Sequence, residues 1–286
     1  MHTKYGTQII TALSGALVLL LTLAAHSAES GGDATRPPAL IAIIIDDLGN
    51  QLGAGRRTIS LDAPVACAVM PHTSYGNLLA REAHAAGKEV MLHMPMQPMQ
   101  MDRIAGPGEI SLENGVQQVR HILERNLMTV PHAVGINNHM GSLITRHPGH
   151  MRWLMQAMRE RGDLFFVDSM TTSSSVAYAM AIEGGVPAAR RHVFLDDDPS
   201  PAAVAAQFAR LLEQAKQRGY AIGIGHPYPA TLDVLETGFA AVQADTAFRV
   251  VPVSRIVALL ESGELRRETL LQAPLSVASL GAGHAH

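Results

Sequence analysis

Five apolar segments of this chain each end in acidic, amide or imidazole side chains. The first is Ile41–Ile45, which runs directly into Asp46 and Asp47. The other segments, with the polar residues that follow them, are Glu89–Leu92 with His93, Ala133–Ile136 with Asn137, Asn138 and His139, Leu164–Val167 with Asp168 and Ser169, and Ala221–Gly225 with His226. Continuous apolar runs of this length are typical of strands that are buried on both faces of a parallel sheet. Because the carboxyl ends of parallel strands open onto one face, where active sites lie, the pattern predicts both an α/β architecture and the position of the chemistry.

The rest of the chain between Ile41 and Glu261 supports this architecture. The predicted strands are Ile41–Ile45, Val65–Val69, Glu89–Leu92, Val134–Ile136, Leu164–Val167, Val193–Leu195, Ala221–Ile224 and Arg249–Val251. The predicted helices are Leu52–Ser60, Tyr75–Ala86, Ser111–Asn126, His150–Arg161, Ser175–Ile182, Pro201–Arg218, Leu232–Ala244 and Arg255–Leu260. This alternation predicts a mostly parallel sheet or a barrel. The methionine-rich stretch Met94–Gly108 is predicted to be an irregular, mobile loop over the site.

The two ends of the chain differ in composition from its centre. Residues 1–28 carry Lys4 before the apolar run Ile9–Ala25 and the small-residue pattern Ala25-His26-Ser27, which is typical of a cleaved secretory signal peptide. An uncleaved N-terminal membrane anchor is the alternative, since about 17 apolar residues reach the lower limit for a span. We therefore expect an exported protein of the periplasm or cell envelope, in contact with the membrane only if this segment is retained. Residues 29–39 are predicted to be a linker, 40–262 a single barrel domain and 263–286 a disordered tail.

Composition excludes some classes of function. The formal net charge is −3 and no basic stripe is present, which argues against nucleic acid as a partner. The single cysteine, Cys67, lies in an apolar run and is predicted to be a buried structural thiol. Aromatic residues make up only 4% of the chain. Because long glycan clefts use aromatic platforms for stacking, this favours a short, small or peptide-containing substrate.

The adjacent acids Asp46 and Asp47 are the strongest local signal. Two buried carboxylates raise each other's pKa unless a cation lies between them, so one would bind a metal while the other acts as a base. Capping of the following turn by Asp47 is the structural alternative. His93, His139 and His226 each have an alternative as core or turn histidines, but their shared position at strand ends favours a common site. One carboxylate and two imidazoles are typical of a catalytic divalent metal site with an open coordination position, with zinc as the first choice.

Six motifs of this chain resemble those of the divergent polysaccharide deacetylase family, a branch of the NodB-type carbohydrate esterases. They are Ile45-Asp46-Asp47-Leu48-Gly49, His93-Met94-Pro95-Met96, Gly135-Ile136-Asn137-Asn138-His139-Met140-Gly141-Ser142, Phe166-Val167-Asp168-Ser169, Phe194-Leu195-Asp196 and Gly225-His226-Pro227-Tyr228-Pro229. The resemblance covers essentially all of Ile41–Leu260. It implies a distorted (β/α) barrel and metal-dependent hydrolysis of N-acetyl groups on an acetylated glycan, such as peptidoglycan or another envelope polysaccharide.

The resemblance also implies roles for individual residues. Asp46 matches the family's general base, Asp47 its metal-binding acid, His93 its first metal-binding histidine and His226 its general acid. Ordinary members carry a second histidine a few residues after the first, which is absent here. We expect His139 to replace it from the next strand end. The residues expected to bind substrate or to support the site are Asn138, Asp168, Ser169 and Tyr228.

Two departures from the family pattern keep other functions open. The second metal histidine is missing from its usual position, and the usual Arg-x-Pro-Tyr motif is replaced by the segment around Asn137-Asn138-His139. Arg190 or Arg191 is expected to pair with an acid in the site instead. The alternatives to a deacetylase are a catalytically degenerate envelope protein that binds a glycan or a protein, and an amidase that acts on peptide-bearing glycans.

Overall fold

The structure is a computed structural model, and it describes residues 37–100 and 102–265. The predicted signal or anchor, most of the predicted linker and most of the predicted tail lie outside these residues. The described helices are too short or too polar to cross a bilayer.

Strands and helices alternate along the described chain. The strands are β1 Ala39–Leu48, β2 Ala66–Val69, β3 Glu89–Met96, β4 Ala133–Met140, β5 Phe165–Asp168, β6 Ala188–Arg190, β7 Val193–Phe194, β8 Tyr220–Gly225 and β9 Phe248–Val250. The helices are α1 Leu52–Ile59, α2 Gly76–Ala85, α3 Val116–Thr129, α4 Pro148–Arg161, α5 Ala177–Glu183, α6 Pro201–Arg218, α7 Pro229–Ala244 and α8 Val253–Ser262, with a 3₁₀ turn at Ile144–Arg146. Each predicted strand and helix is present, with shifted ends, and β6 was not predicted.

The strands form one parallel sheet that curls into a distorted barrel. Its order is β6-β5-β4-β3-β2-β1-β8-β7, and β9 pairs with the amino-terminal half of β1. The two edge strands, β6 and β7, are consecutive in the chain and are separated by only Arg191 and His192. Along this segment Asp168 pairs with Arg190 on one side, while Val193 pairs with Gly223 on the other. One continuous stretch therefore closes the barrel, and the predicted fold class is confirmed.

Alternating residues of each strand face the barrel interior or the helices outside. On β1, Ala42 and Ile44 belong to the interior cluster, whereas Ile41, Ile43 and Ile45 pack in the outer cluster beneath the helices. The same alternation holds on β8, where Ile222 and Ile224 face inward. Successive side chains of a strand point to opposite faces. Closure of the barrel therefore fixes which residues point into its interior at the carboxyl ends of the strands.

Helix α8 packs against the inward-facing cluster at the amino ends of the strands. Its apolar residues Val253, Ile256 and Leu260 join the same buried cluster as Ala42 and Ile44 of the strands. The carboxylate of Glu89 accepts hydrogen bonds from the backbone N–H groups of Val253 (2.7 Å) and Ser254 (3.2 Å) and so caps this helix. Filling one end with apolar side chains leaves the carboxyl ends of the strands as the open face.

Two sequence predictions are corrected by the structure. Met94–Met96 belongs to β3 instead of a loop, and both methionines are fully buried. Proline has no N–H group to donate to a neighbouring strand. Pro95 is tolerated because the pairing of β2 with β3 ends at Leu92, so no β2 residue lies opposite Pro95. Helix α3 begins at Val116 instead of Ser111, because Ser111 and Asn114 form a side-chain-bonded turn before it. The predicted burial of Cys67 is confirmed.

Candidate metal centre and active site

The carboxyl ends of the strands surround a cavity of about 720 Å³. Side chains predicted from the sequence to share a site lie on its wall: Asp46, Asp47, His93, His139 and His226. They come from β1, β3, β4 and the residue after β8, which are separated by up to 180 residues in sequence (46 to 226). The structure thus brings these five residues to one place.

Asp46 and Asp47 face the same cavity although neighbouring strand residues normally point to opposite faces. Asp47 has a φ of 58°, in the left-handed region, and the pairing of β1 with β2 shifts register between Ile45 and Leu48. A positive φ is uncommon for a residue other than glycine and recurs at functional sites, where the surrounding structure maintains it. This local distortion of β1 is what allows two consecutive carboxylates to enter one site.

Three potential metal-ligand atoms converge at the bottom of the cavity. Oδ1 of Asp47 lies 2.9 Å from Nδ1 of His139 and 3.3 Å from Nε2 of His93. The two ring nitrogens are 3.1 Å apart. For zinc–ligand distances of 2.0–2.1 Å, neighbouring ligands of a tetrahedral site are separated by about 3.3 Å. The three atoms therefore fit one face of a tetrahedral divalent metal site.

The bonding of Asp47 supports the same interpretation. Its Oδ1 atom is buried and makes no hydrogen bond of ordinary geometry, although two ring nitrogens lie beside it. Burial alone would raise the pKa of Asp47, but the neighbouring rings of His139 and His93 hold the pKa well below its ordinary value. An ionised carboxylate with an unused, buried oxygen is the donor that a divalent cation requires.

Asn137 connects Asp46 to His93 through its side-chain amide. Its side-chain Nδ2 donates to Oδ1 of Asp46 (2.8 Å) and to Oγ of Ser169 (3.2 Å). Its Oδ1 lies 2.9 Å from Nδ1 of His93. An amide oxygen can only accept, so Nδ1 of His93 carries a proton, and in the neutral ring Nε2 presents its lone pair to the cavity. One buried amide therefore sets both the orientation and the tautomer of His93.

Asp46 is almost fully buried, with 3% of its surface exposed. Burial raises its pKa, although His93, His226 and the hydrogen bond from Asn137 each act in the opposite direction. Its Oδ2 lies 3.5 Å from Nε2 of His93. Asp46 is thus held beside the ligand cluster with one oxygen bonded to Asn137 and the other directed toward the cluster, which is a suitable arrangement for a proton acceptor.

His226, which follows β8 at the end of the strand next to β1, is paired with a buried carboxylate. Nδ1 of His226 lies 3.0 Å from Oδ1 of Asp196, and the backbone N–H of His226 donates to Oδ2 of Asp196 at 2.6 Å. Thr231 also donates to Oδ2 of Asp196 (2.8 Å). Burial acts to lower the pKa of His226, but the bond to Asp196 and the charge of Asp46 outweigh it and raise the pKa to about 9. Nε2 of His226 lies 3.7 Å from Oδ2 of Asp47 and is available to a substrate.

The residues expected to support the site have different surroundings. Ser169 is buried at the cavity wall, where its Oγ accepts from Asn137. Asn138 donates to the carbonyl of Met140 (2.8 Å) and accepts from the N–H of Ser169 (2.9 Å), so it ties the ends of β4 and β5 together. Tyr228 is 44% exposed, with its ring 5.4 Å from that of His226.

Asp168 supports the site from behind instead of facing substrate. Its carboxylate accepts from the hydroxyl of Ser175 (2.7 Å) and from the N–H groups of Met170 (2.9 Å) and Tyr178 (3.2 Å), which fixes the loop that follows Ser169. Of the two arginines expected to pair with an acid, Arg190 lies close enough to Asp168 for its charge to act against the burial that raises the pKa of that carboxyl. The guanidinium of Arg191 donates to the carbonyls of Ser169 (2.6 Å) and Met170 (2.7 Å).

Sequence reasoning missed Asn137 and Asp196 as candidate site residues. Asn137 follows Gly135 by two positions and precedes His139 by two, so strand alternation places these three on one face. That signal was present in the sequence and selects Asn137 over Asn138. Asp196 follows β7, which is only two residues long, so the sequence offered no comparable periodicity there.

The fold and this site together define a class of protein: a (β/α) barrel with carboxylate and imidazole side chains clustered at the carboxyl ends of its strands. Residues 43–257 match the family model described as divergent polysaccharide deacetylase, and the chain belongs to this family. The resemblance stated from the motifs is therefore confirmed.

The relatives of this chain include two curated bacterial proteins. An uncharacterized protein of Haemophilus influenzae is 38% identical over 205 residues, covering 72% of this chain and 72% of the relative. The uncharacterized protein YibQ of Escherichia coli is 36% identical over 196 residues, covering 68% of this chain and 61% of that protein. Among solved structures, the uncharacterized protein ATU2773 of Agrobacterium tumefaciens C58 aligns with a TM-score of 0.73 and 18% identity, over 78% of this chain and 90% of the other. The similarity to ATU2773 shows that the two proteins share a fold.

Proposed function

We propose that this protein is an exported, metal-dependent hydrolase that removes N-acetyl or O-acetyl groups from a glycan of the cell envelope. The observation that carries the proposal is the convergence of Asp47, His93 and His139 within bonding range of one point. The buried carboxylate of Asp46 and the carboxylate-paired imidazole of His226 both lie beside this cluster. Membership of the polysaccharide deacetylase family supports a glycan as the substrate, and the N-terminal sequence pattern supports export.

The three ligand residues fit a divalent metal, and zinc is the proposed ion. When bound, such an ion supplies Lewis-acid chemistry, polarising a carbonyl and lowering the pKa of water. His93 and Asp47 each have a fixed role in holding it: Asn137 fixes the ring of His93 through Nδ1, so that Nε2 would face the ion once its proton is lost on metal binding, and the low pKa of Asp47 keeps its carboxylate ionised. His139 supplies the third donor from β4, replacing the histidine that the family pattern places closer to His93.

Asp46 is the proposed general base. Its raised pKa increases its affinity for a proton, which an ordinary carboxylate holds weakly. Asn137 occupies one oxygen and leaves Oδ2 directed toward the ligand cluster, where it can take the proton of the attacking water. The Asn137 bond also prevents rotation of this carboxylate while it works.

His226 is the proposed general acid. With a pKa of about 9 it is protonated at neutral pH and can give its Nε2 proton to the departing amine or alcohol. Asp196 binds Nδ1 and keeps the ring directed into the cavity throughout this transfer. Base and acid thus both lie beside the ligand cluster, at the ends of the paired strands β1 and β8, where hydrolysis of an amide or ester needs a proton acceptor and a proton donor.

The test is acetate release from acetylated glycan oligomers by the signal-free, zinc-loaded protein. Asp46→Asn is expected to lower turnover by about 10²–10⁴-fold, the usual contribution of a general base, while metal content stays unchanged. Asp62→Asn, on the exposed surface away from the cavity, is the matched control and should keep full turnover. Unchanged turnover in Asp46→Asn would refute the assigned role. Glycan binding without acetate release from any acetylated oligomer would instead favour a non-catalytic binding module.

A further inference from the structure

Beyond the ligand cluster, the wall of the same cavity carries three arginines from three separate segments. Arg103 lies in the loop between β3 and α3, Arg191 joins β6 to β7, and Arg210 lies on α6. Among the described residues of this outer wall, which we call the arginine rim, Asp197 is the acid that accompanies them. The rim therefore carries an excess of positive charge, although the whole chain has a formal charge of −3.

Arg191 is held rigidly in this rim. Its Nε and Nη2 atoms donate to the carbonyl oxygens of Ser169 and Met170, and its guanidinium carbon lies 4.9 Å from the centre of the Phe194 ring. These hydrogen-bonding partners are neutral and fix the position of the guanidinium, while the charges that act on it come from Asp46, Asp168 and Asp197. A guanidinium held in this way binds carboxylates well because little conformational freedom remains to be lost.

The aromatic content of the cavity wall also favours recognition of a charged group. Phe194 is the aromatic ring on the described wall, apart from the histidines. Arg191 covers one part of it, and the His226 ring lies at its edge with centroids 5.6 Å apart. The ring is therefore engaged by protein groups instead of being open for stacking on a neutral sugar. Recognition at this wall depends on charge more than on stacking.

We propose that the cavity takes a glycan that bears a carboxylate close to the acylated amine, with the arginine rim binding that carboxylate. This inference rests on the proposed function and narrows its substrate class. Such a carboxylate can belong to the sugar itself or to an ether substituent of the sugar. It can also belong to a peptide that is attached to the sugar. Each source presents the same carboxylate to Arg103 and Arg210, which are exposed and line the cavity from two separate segments of the chain.

The experiment measures binding, so that it does not depend on turnover. Zinc-loaded Asp46→Asn protein is titrated by calorimetry with N-acetylglucosamine oligomers in three forms: neutral, carrying a lactyl-ether carboxylate, and carrying a short peptide through that ether. Each charged form is paired with its methyl ester. We expect at least one free carboxylate to bind about tenfold more tightly than its ester, the effect of a hydrogen-bonded charge pair. The form that shows the preference identifies the source of the carboxylate.

Variants assign the effect to the arginine rim. In the Asp46→Asn background, the double substitution Arg103→Gln with Arg210→Gln should reduce the preference for the free acid, and the triple substitution that adds Arg191→Gln should abolish it. Arg249→Gln, an exposed arginine on β9 at the other end of the barrel, should retain it. Equal binding of acid and ester in every form, or a preference that survives the triple substitution, would overturn this inference. A preference for the acid without acetate release from any oligomer by the unsubstituted protein would refute the proposed hydrolysis and leave the charge recognition intact.

Discussion

Asn137 is the residue at which stability and metal binding are most directly linked in this site. Replacing it with alanine removes the donor to Asp46 Oδ1 (2.8 Å) and the acceptor for His93 Nδ1 (2.9 Å). Both partners are buried, at 3% and 2% exposure, so each is left without its bond in a place where water has little access. An unsatisfied buried polar group costs about 1–3 kcal/mol, so we expect the free energy of unfolding to fall by about 2–6 kcal/mol.

The same substitution should weaken metal binding. Without the Asn137 oxygen, the proton of His93 is free to move to Nε2, the atom that faces Asp47 and His139. Loss of a group that orients a metal ligand typically lowers metal affinity about 10–100-fold, and we expect a loss in this range for Asn137→Ala. Zinc affinity is measured by competition with a chelator on metal-free protein, and stability by urea unfolding of the same sample.

Asn138→Ala is the matched control, because Asn138 is an equally buried asparagine whose bonds go to backbone groups of Met140 and Ser169. It should lose stability but keep zinc affinity within about twofold, as it touches no proposed ligand. Equal loss of zinc in the two variants would show that the integrity of β4, and not the Asn137 amide, orients His93. Retention of full zinc affinity by Asn137→Ala would refute the argument outright.

Three further predictions follow from the described contacts. His93→Ala and His139→Ala should each lose the single metal ion per chain that elemental analysis is expected to find in the unsubstituted protein, since both ring nitrogens belong to the ligand cluster. Burial lowers the pKa of His192 to about 3 in the folded protein. As the pH falls below the ordinary pKa of histidine, His192 is therefore protonated in the unfolded chain but not in the folded one. Relative to His192→Asn, the unsubstituted protein should therefore lose up to about 2 kcal/mol of additional stability between about pH 7.5 and 5, measured by urea unfolding. Gly135→Ala would place a methyl group against the ring of Phe165, and thermal unfolding should show a loss of about 1–3 kcal/mol.

Each of these has a control on this chain. His147→Ala, outside the ligand cluster, should keep the metal, and metal retained in both His93→Ala and His139→Ala would refute the ligand set. An identical pH dependence in His192→Asn would show that His192 is not held neutral in the folded state. Gly149→Ala, where the added methyl group meets no atom within 4 Å, should leave stability unchanged or slightly higher, in contrast to Gly135→Ala.

The carboxyl-end position of the site residues could be predicted because it depends on local pattern. The apolar runs before Asp46, His93 and His226 specify buried strands, and parallel strands end on the same face of a barrel. The proximity of His139 to His93 could also be predicted, since β4 is the strand next to β3 and its polar end follows the same pattern. These inferences required only strand direction and neighbourhood.

The sequence by itself therefore determined the α/β alternation, the family and the set of strand ends that meet. Only the tertiary structure decided that both consecutive acids face the cavity, since the left-handed backbone at Asp47 brings its carboxylate inward beside Asp46, and that Asn137 bonds to Asp46 from a distant strand. It also decided that Asp196 reaches His226, because the segment from Ala188 to Phe194 pairs with β5 and β8 together to close the barrel. The physical reason is that strand propensity and alternation are local properties, whereas the choice of inward face and the closing contact depend on strands that are distant in sequence.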